Sequence, residues 1–361
     1  MIQTFCEQWT RLAFLPLNLH SATNDPVTRP DPVTQPGVSG NISGTDGNST
    51  GNASGNASAT PAGSLSAALS GKPRFISRTF DSGHGSLAYK LYVPASFTGH
   101  EPTLVVMLHG YGQSAEDFAN GTDMNRHAEE AGCLVMYPEQ TCFGMVGGCW
   151  NWFDRAHQQR DHGDAALIAG ATREVAAEFL VPSGKVFVAG LSAGAAMAVV
   201  LGCTYPDLYS AVGCHSGLPH GCAGDTASAM QAMRNGATIE DAAVLTQNAV
   251  PVIVFHGDND QTVHSTNGRT VIEHSLSAVR LNDAARPQVV EESGVARDRG
   301  YTRVVHRGAD GAILAEHWVI HGAGHAWSGG SLRGSYADDK GPSASGEMLR
   351  FFRDVQYPVA A

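Results

Sequence analysis

The sequence predicts an α/β fold: a mostly parallel, twisted sheet with helices on both faces. Short, wholly apolar runs such as "LVVML" (Leu104–Leu108) and "VFVAGL" (Val186–Leu191) show no polar alternation. Such runs are the pattern of strands buried on both faces. Helical patterns fall between the middle runs, the spacing of strands joined by crossovers. Several strands run into glycine-rich or polar loops, where open sheets of this kind collect their ligands.

The chain has 361 residues, and the first stretch reads apart from the rest. Residues 1–20 carry a short amphipathic pattern, Ile2 to Leu15. It lacks the basic start and unbroken apolar core of an export signal, because Glu7 precedes Arg11 and Pro16 interrupts Leu12–Leu19. Residues 21–72 include "GVSGNISGTDGNSTGNASGNASATPAGS", too poor in large apolar groups to offset ordering entropy, and read as a flexible linker. Its N-x-S/T triplets at Asn41, Asn48, Asn52 and Asn56 are acceptor sequences for glycans, and are equally expected by chance in so biased a tract. Residues 73–361 read as one catalytic domain. Strands are expected at Phe75–Thr79 and Leu87–Val93 (an antiparallel edge), then at Thr103–Leu108, Leu134–Tyr137, Val186–Leu191, Ala211–Cys214, Pro251–Phe255, Thr302–Arg307 and Ile313–Ile320. Helices are expected at Ala115–Ala131, Ala165–Leu180 (with Asp164 as its N-cap), Ala193–Thr204, Ala227–Arg234, Gly268–Leu281 and Ala344–Asp354.

Charge and composition exclude some classes of function. The net charge of -11, without a basic tract, argues against a nucleic-acid partner. No apolar run approaches the roughly 20 residues of a membrane span. Seven cysteines show no CxxC spacing; Cys142/Cys149 and Cys214/Cys222 are close enough in sequence to close small disulfide loops, while Cys133 and Cys203 sit in apolar patterns and read as buried thiols. His157 and His162 lie near one another, but no second cluster completes a metal site, so no metal is expected.

The chemistry is concentrated in "KVFVAGLSAGAAMAVVLG". Gly190-Leu191-Ser192-Ala193-Gly194 is a G-x-S-x-G pattern that follows a strand and opens a helix, the context in which the serine stands exposed on a sharp, strained turn. A serine hydroxyl needs a base, and the base an orienting acid. Downstream, "VPVIVFHGDNDQTVH" ends a strand with Asp258 and Asp260, and "EHWVIHGAGHAWSGG" ends another with His321 and His325. Asp260 lies further past its strand end than Asp258, which suits capping the turn. His325 lies in a glycine-lined loop, whereas His317 is within the strand and His321 ends it. The expected triad is therefore Ser192, Asp260 and His325. The backbone N–H of Ala193, at the helix N-terminus, and that of Tyr111, in "LHGYGQ", are the expected oxyanion donors, with His109 buttressing the second loop. Trp150 and Trp152 read either as an apolar wall for an acyl group or as core beneath their loop. Trp327 reads as a pocket lining or as packing for His325.

"LHGYGQSAEDFANGTDMN", "CWNWFDRAHQQRDHGDAALI", "VAGLSAGAAMA", "YPDLYSAVGCHSGLPHGCA" and "IHGAGHAWSGG" together resemble the esterase family of short-chain polyhydroxyalkanoate (PHB) depolymerases, with feruloyl and acetylxylan esterases as relatives. The resemblance covers about Gly83 to Phe352. It implies an α/β-hydrolase fold, a serine esterase that needs no cofactor, the same three triad residues, and a location outside the cell. It also implies an ester substrate: a short-chain poly- or oligo(3-hydroxyalkanoate), or alternatively a feruloyl or acetyl ester of plant polysaccharide. No separate polymer-binding module is recognisable after the catalytic region, which favours soluble oligomers over solid polymer. Oligomeric state is left open.

Overall fold

The structure, a computed structural model, describes residues 71–83, 85–140, 148–238, 250–280 and 287–355. The amphipathic segment 1–20, the linker up to residue 70, and Cys6 and Cys142 lie outside the described residues.

In chain order the elements are β1 (Arg74–Asp81), β2 (Ser86–Val93), β3 (Leu104–Leu108), α1 (Ala115–Thr122), α2 (Met124–Ala131), β4 (Leu134–Glu139), α3 (Gly163–Glu178), β5 (Val186–Leu191), α4 (Ala193–Thr204), β6 (Val212–His215), α5 (Thr226–Asn235), β7 (Val252–Gly257), α6 (Thr266–Arg280), β8 (Gln288–Ala296), β9 (Arg299–Arg307), β10 (Ile313–Ile320), β11 (Trp327–Ser328), β12 (Ala337–Asp338) and α7 (Ala344–Asp354). Ten strands form one sheet in the order β1-β2-β4-β3-β5-β6-β7-β10-β9-β8. The six central strands, β4 to β10 in that order, are parallel. The pairs β1/β2 and β2/β4 on one side, and β10/β9 and β9/β8 on the other, are antiparallel. This is the mostly parallel sheet that the apolar runs predict, in the α/β-hydrolase arrangement that the family resemblance implies.

The apolar runs are buried because both faces of the sheet are covered. Every residue of β3, β5, β6 and β7 is buried. One core packs Trp150, Ile168, Val188, Met197 and Val254 on one face, and a second packs Met107, Phe187, Phe255, Trp318 and Phe351 on the other. The helix α4 is buried from Ala193 to Gly202. Its run of small residues lets it lie close against the sheet: a Cβ at Gly202 would sit 2.4 Å from Val212 Cγ2.

Three expectations change in detail. The single helix expected over Ala115–Ala131 is two, broken at Asp123, whose φ of 53° ends α1 and begins α2. Aspartate tolerates this left-handed conformation better than most residues, and the 331–335 loop packs on the break, with Ser331 N–H donating to Gly121 O. Asp164 is not the N-cap of α3, which starts two residues earlier than expected, at Gly163 with His162 as N-cap. Its carboxylate is buried instead and accepts from Asn151 N and Nδ2 and pairs with His157. The strand β8 is an addition. It is exposed on both faces, with Val289, Val290 and Val295 more than half exposed, so it leaves no alternating apolar signature. It is joined to β9 by Arg297 and Asp298, both at positive φ (44° and 60°), the geometry of a tight hairpin turn.

Candidate active site

Four neighbouring parallel strands, β5, β6, β7 and β10, bring their C-terminal ends to one rim. Ser192 follows β5 directly, with φ 57° and ψ -119°. A non-glycine residue held there stores about 1–3 kcal/mol of strain. The surroundings hold it: Ser192 N–H continues the sheet by donating to His215 O at 2.9 Å, and its carbonyl opens α4 by accepting from Ala196 N. The flanking glycines are required by close packing. A Cβ at Gly194 would lie 2.1 Å from Leu108 O, and one at Gly190 2.4 Å from the Gly194 carbonyl carbon.

The loops after β7 and β10 meet in the same manner. Gly257, at the end of β7, could not carry a Cβ, which would sit 2.3 Å from Ala323 O. Asp260 Oδ2 accepts from His325 Nδ1 at 2.7 Å, and Oδ1 accepts from Thr262 N and Val263 N at 2.9 Å each. Burial by itself would raise this carboxyl. The neighbouring His325, with hydrogen bonds from His256 and His325, outweighs burial and holds it well below the usual carboxylate range. Asp260 is therefore a charged acceptor that fixes His325 with a proton on Nδ1 and leaves Nε2 able to accept one.

Asp258 and His321 form a separate pair. Asp258 accepts from His321 Nδ1 at 3.0 Å and from Gly322 N at 2.6 Å, and His321 Nε2 contacts Thr302 Oγ1. Asp258 thus ties the end of β10 to its loop rather than capping its own turn. His317 is half-buried within β10.

The Ser192 hydroxyl is buried and has no hydrogen-bond partner among the described residues. Asp260 and His325 are in contact, whereas the serine–imidazole hydrogen bond is not formed in this structure. Catalytic hydrogen bonds of this kind commonly tighten only when substrate is bound.

Ala193 opens α4, so its N–H has no acceptor within the helix. The His109–Gln113 turn stands beside it: a Cβ at Gly110 would lie 3.7 Å from Ser192 Cβ. Tyr111 is in this turn, which is held from three sides. Gly110 N–H donates to Gln113 Oε1, Gln113 Nε2 donates to Ser335 O and Asp117 Oδ2, and Gln140 N–H donates to His109 Nε2. The sequence did not single out Gln113, whose bonds to Gly110 and Asp117 are local but whose bonds to Ser335 come from the distant 331–336 loop.

The tryptophans need a correction. Trp150 is fully buried, its Nε1 donating to His109 O at 3.0 Å, so it supports the turn from below. Trp327 is also buried, its Nε1 donating to Ser345 Oγ and its ring stacked on His215 at 5.1 Å. Both face inward as packing, not outward as walls. Trp152 is buried against Phe153, with no partner for its indole N–H among the described residues. The pairing of Cys214 with Cys222 does not form: Cys214 is a buried thiol, pushed up to about 12 by burial. Cys133 is likewise a buried thiol, and Cys142 lies outside the described residues. Among the described residues no three His, Cys, Asp or Glu side chains are placed to hold a metal ion, and no helix is long and apolar enough to cross a membrane.

Comparison with known proteins identifies relatives of this chain. The chain is 29% identical over 257 residues to poly(3-hydroxyalkanoate) depolymerase C of Paucimonas lemoignei, a match covering 68% of this chain and 60% of that protein. It is 26% identical over 268 residues to feruloyl esterase B of Talaromyces stipitatus, covering 68% of this chain and 70% of that one. Its fold is similar to that of an acetyl xylan esterase from Aspergillus awamori, with a TM-score of 0.59 at 19% identity, over 79% of this chain and all of the other. The family model described as esterase PHB depolymerase matches residues 87–300, and the chain therefore belongs to that family.

Proposed function

We propose that the protein is a serine esterase that cleaves carboxylic esters through an acyl-enzyme, with short-chain poly- or oligo(3-hydroxyalkanoate) as its substrate class. The observation that carries this reading is the part-buried Asp260–His325 contact of 2.7 Å at the same sheet rim as the strained Ser192. Ser192 Oγ attacks the ester carbonyl carbon while its proton passes to His325 Nε2. Asp260 keeps the imidazole in the required tautomer and stabilises the imidazolium. The N–H groups of Ala193 and Tyr111 are positioned as donors to the oxyanion, a contribution of roughly 3 kcal/mol per donor. The tetrahedral species collapses as the His325 proton moves to the leaving alkoxide oxygen. Water then loses a proton to His325 as it attacks the acyl carbon, and Ser192 leaves with that proton.

A second reading keeps the mechanism and changes the ester. The similarity to a feruloyl esterase and to the acetyl xylan esterase fold favours feruloyl or acetyl groups on polysaccharide. The test is kcat/KM on a panel of 3-hydroxybutyrate oligomers, methyl ferulate, acetylated xylan and p-nitrophenyl acyl esters, with Ser192→Ala as control. The proposal expects hydroxybutyrate oligomers to lead the panel and the variant to be folded and inert. Leading turnover of ferulate or acetylxylan selects the second reading. Wild-type turnover retained by Ser192→Ala removes the serine mechanism.

A further inference from the structure

We propose that His215 is a positioning residue that joins the nucleophile to the base, its backbone holding Ser192 and its ring holding the loop that carries His325. The inference rests on the serine-esterase reading and adds a member to that site.

His215 ends β6, between the strands that deliver Ser192 and Asp260. Its carbonyl accepts the Ser192 N–H at 2.9 Å, which pins the strained residue. The next residue repeats the device: Ser216, at φ 51°, donates its N–H to Phe255 O on β7. The His215 side chain points to the base loop. Nε2 accepts the Ser328 N–H at 3.0 Å, and Nδ1 contacts Ser216 Oγ at 3.2 Å. Ser328 is three residues after His325, and Trp327, just before it, stacks on the imidazole at 5.1 Å and 24°. The ring also stacks on Phe255 at 5.8 Å and 12°.

This arrangement requires one protonation state. An imidazole that accepts at Nε2 must carry its proton on Nδ1 and be uncharged, since an imidazolium has no acceptor. Complete burial, with His256 and His325 nearby and only Asp260 opposing, lowers its pKa to about 3, so the acceptor persists at neutral pH. His215 touches no reacting atom. Its effect is on the distance between Ser192 Oγ and His325 Nε2, where a displacement of about 1 Å can cost roughly 100-fold in rate.

Three substitutions test this, with kcat and KM measured on p-nitrophenyl acetate and melting followed by circular dichroism. His215→Phe keeps the stacked ring and removes the acceptor. His215→Gln can place its amide oxygen near the Nε2 position and keep the Ser328 bond, whereas the shorter His215→Asn reaches only Ser216. The expected result is a kcat loss of up to about 100-fold in the Phe variant with KM nearly unchanged, and a Gln variant at least about tenfold faster than Asn at similar melting temperature. If the Phe variant does not fold, the Gln/Asn pair decides alone. Equal kcat in Gln and Asn, a change confined to KM, or losses that follow melting temperature would overturn the proposal. An active wild type with those outcomes removes His215 only; a wild type that neither turns over esters nor is labelled by a fluorophosphonate removes the esterase reading and this proposal with it.

Discussion

Replacing Asp260 by asparagine tests the site at its centre, because the structure dictates how the amide must sit. Thr262 N–H and Val263 N–H both donate to Asp260 Oδ1 at 2.9 Å. In Asp260→Asn the amide oxygen has to take those two bonds, since turning the NH2 toward them would oppose donor to donor. The NH2 group then faces His325 Nδ1, where Oδ2 now accepts at 2.7 Å. It can be satisfied only if Nδ1 accepts, which moves the imidazole proton to Nε2 and leaves nothing to receive the serine proton. The expected loss in kcat at neutral pH is about 10⁴-fold, or roughly 5.5 kcal/mol of barrier. Shape and the two backbone bonds are kept, so thermal stability should change little. The assay is steady-state turnover of p-nitrophenyl acetate, with circular dichroism as the control for folding. A folded variant whose kcat stays within about tenfold of wild type would refute the assignment of Asp260 as the group that sets the His325 tautomer.

Two further outcomes concern stability. Gly194→Ala places a methyl 2.1 Å from Leu108 O and 2.5 Å from His109 O, both backbone atoms; the loss should reach or exceed the roughly 1–3 kcal/mol of core overpacking, read from the urea midpoint, and an unchanged midpoint would mean that β3 and α4 are not in this contact. Acid sensitivity follows from two buried histidines, His215 and His220, and the half-buried His317, which desolvation lowers to about 3, 4 and 3 respectively from an ordinary 6.5. Unfolded, they protonate below about 6.5 while the folded forms stay neutral, so the unfolded chain binds more protons and stability falls as pH drops from about 6.5 toward about 4. At full effect the slope is about 4 kcal/mol per pH unit for three protons; unfolding free energies that are flat across that interval would contradict the neutral state of these side chains.

The parallel core was legible because β3, β5, β6 and β7 are buried on both faces and therefore wholly apolar, a local signal. G-x-S-x-G was legible for a related reason: Gly190 and Gly194 are required wherever a strand and helix cross so closely. Asp123 was not, since a helix break at an aspartate is decided by the 331–335 loop lying against it. Nor was β8, whose two exposed faces leave no periodicity.

The sequence by itself determined the kind of sheet, the residue at the sharp turn, and the two loops from which an acid and a base could come. Each is written in a few consecutive residues, because burial and backbone geometry act locally. Only the tertiary structure decided that Asp258 pairs with His321, that Trp150 and Trp327 turn inward, and that Gln113 and His215 bridge segments far apart in the chain. Those outcomes depend on hydrogen bonds and stacking between segments 18 to 222 residues apart. Such partners are selected by which strands lie side by side, and no short stretch of chain records that order.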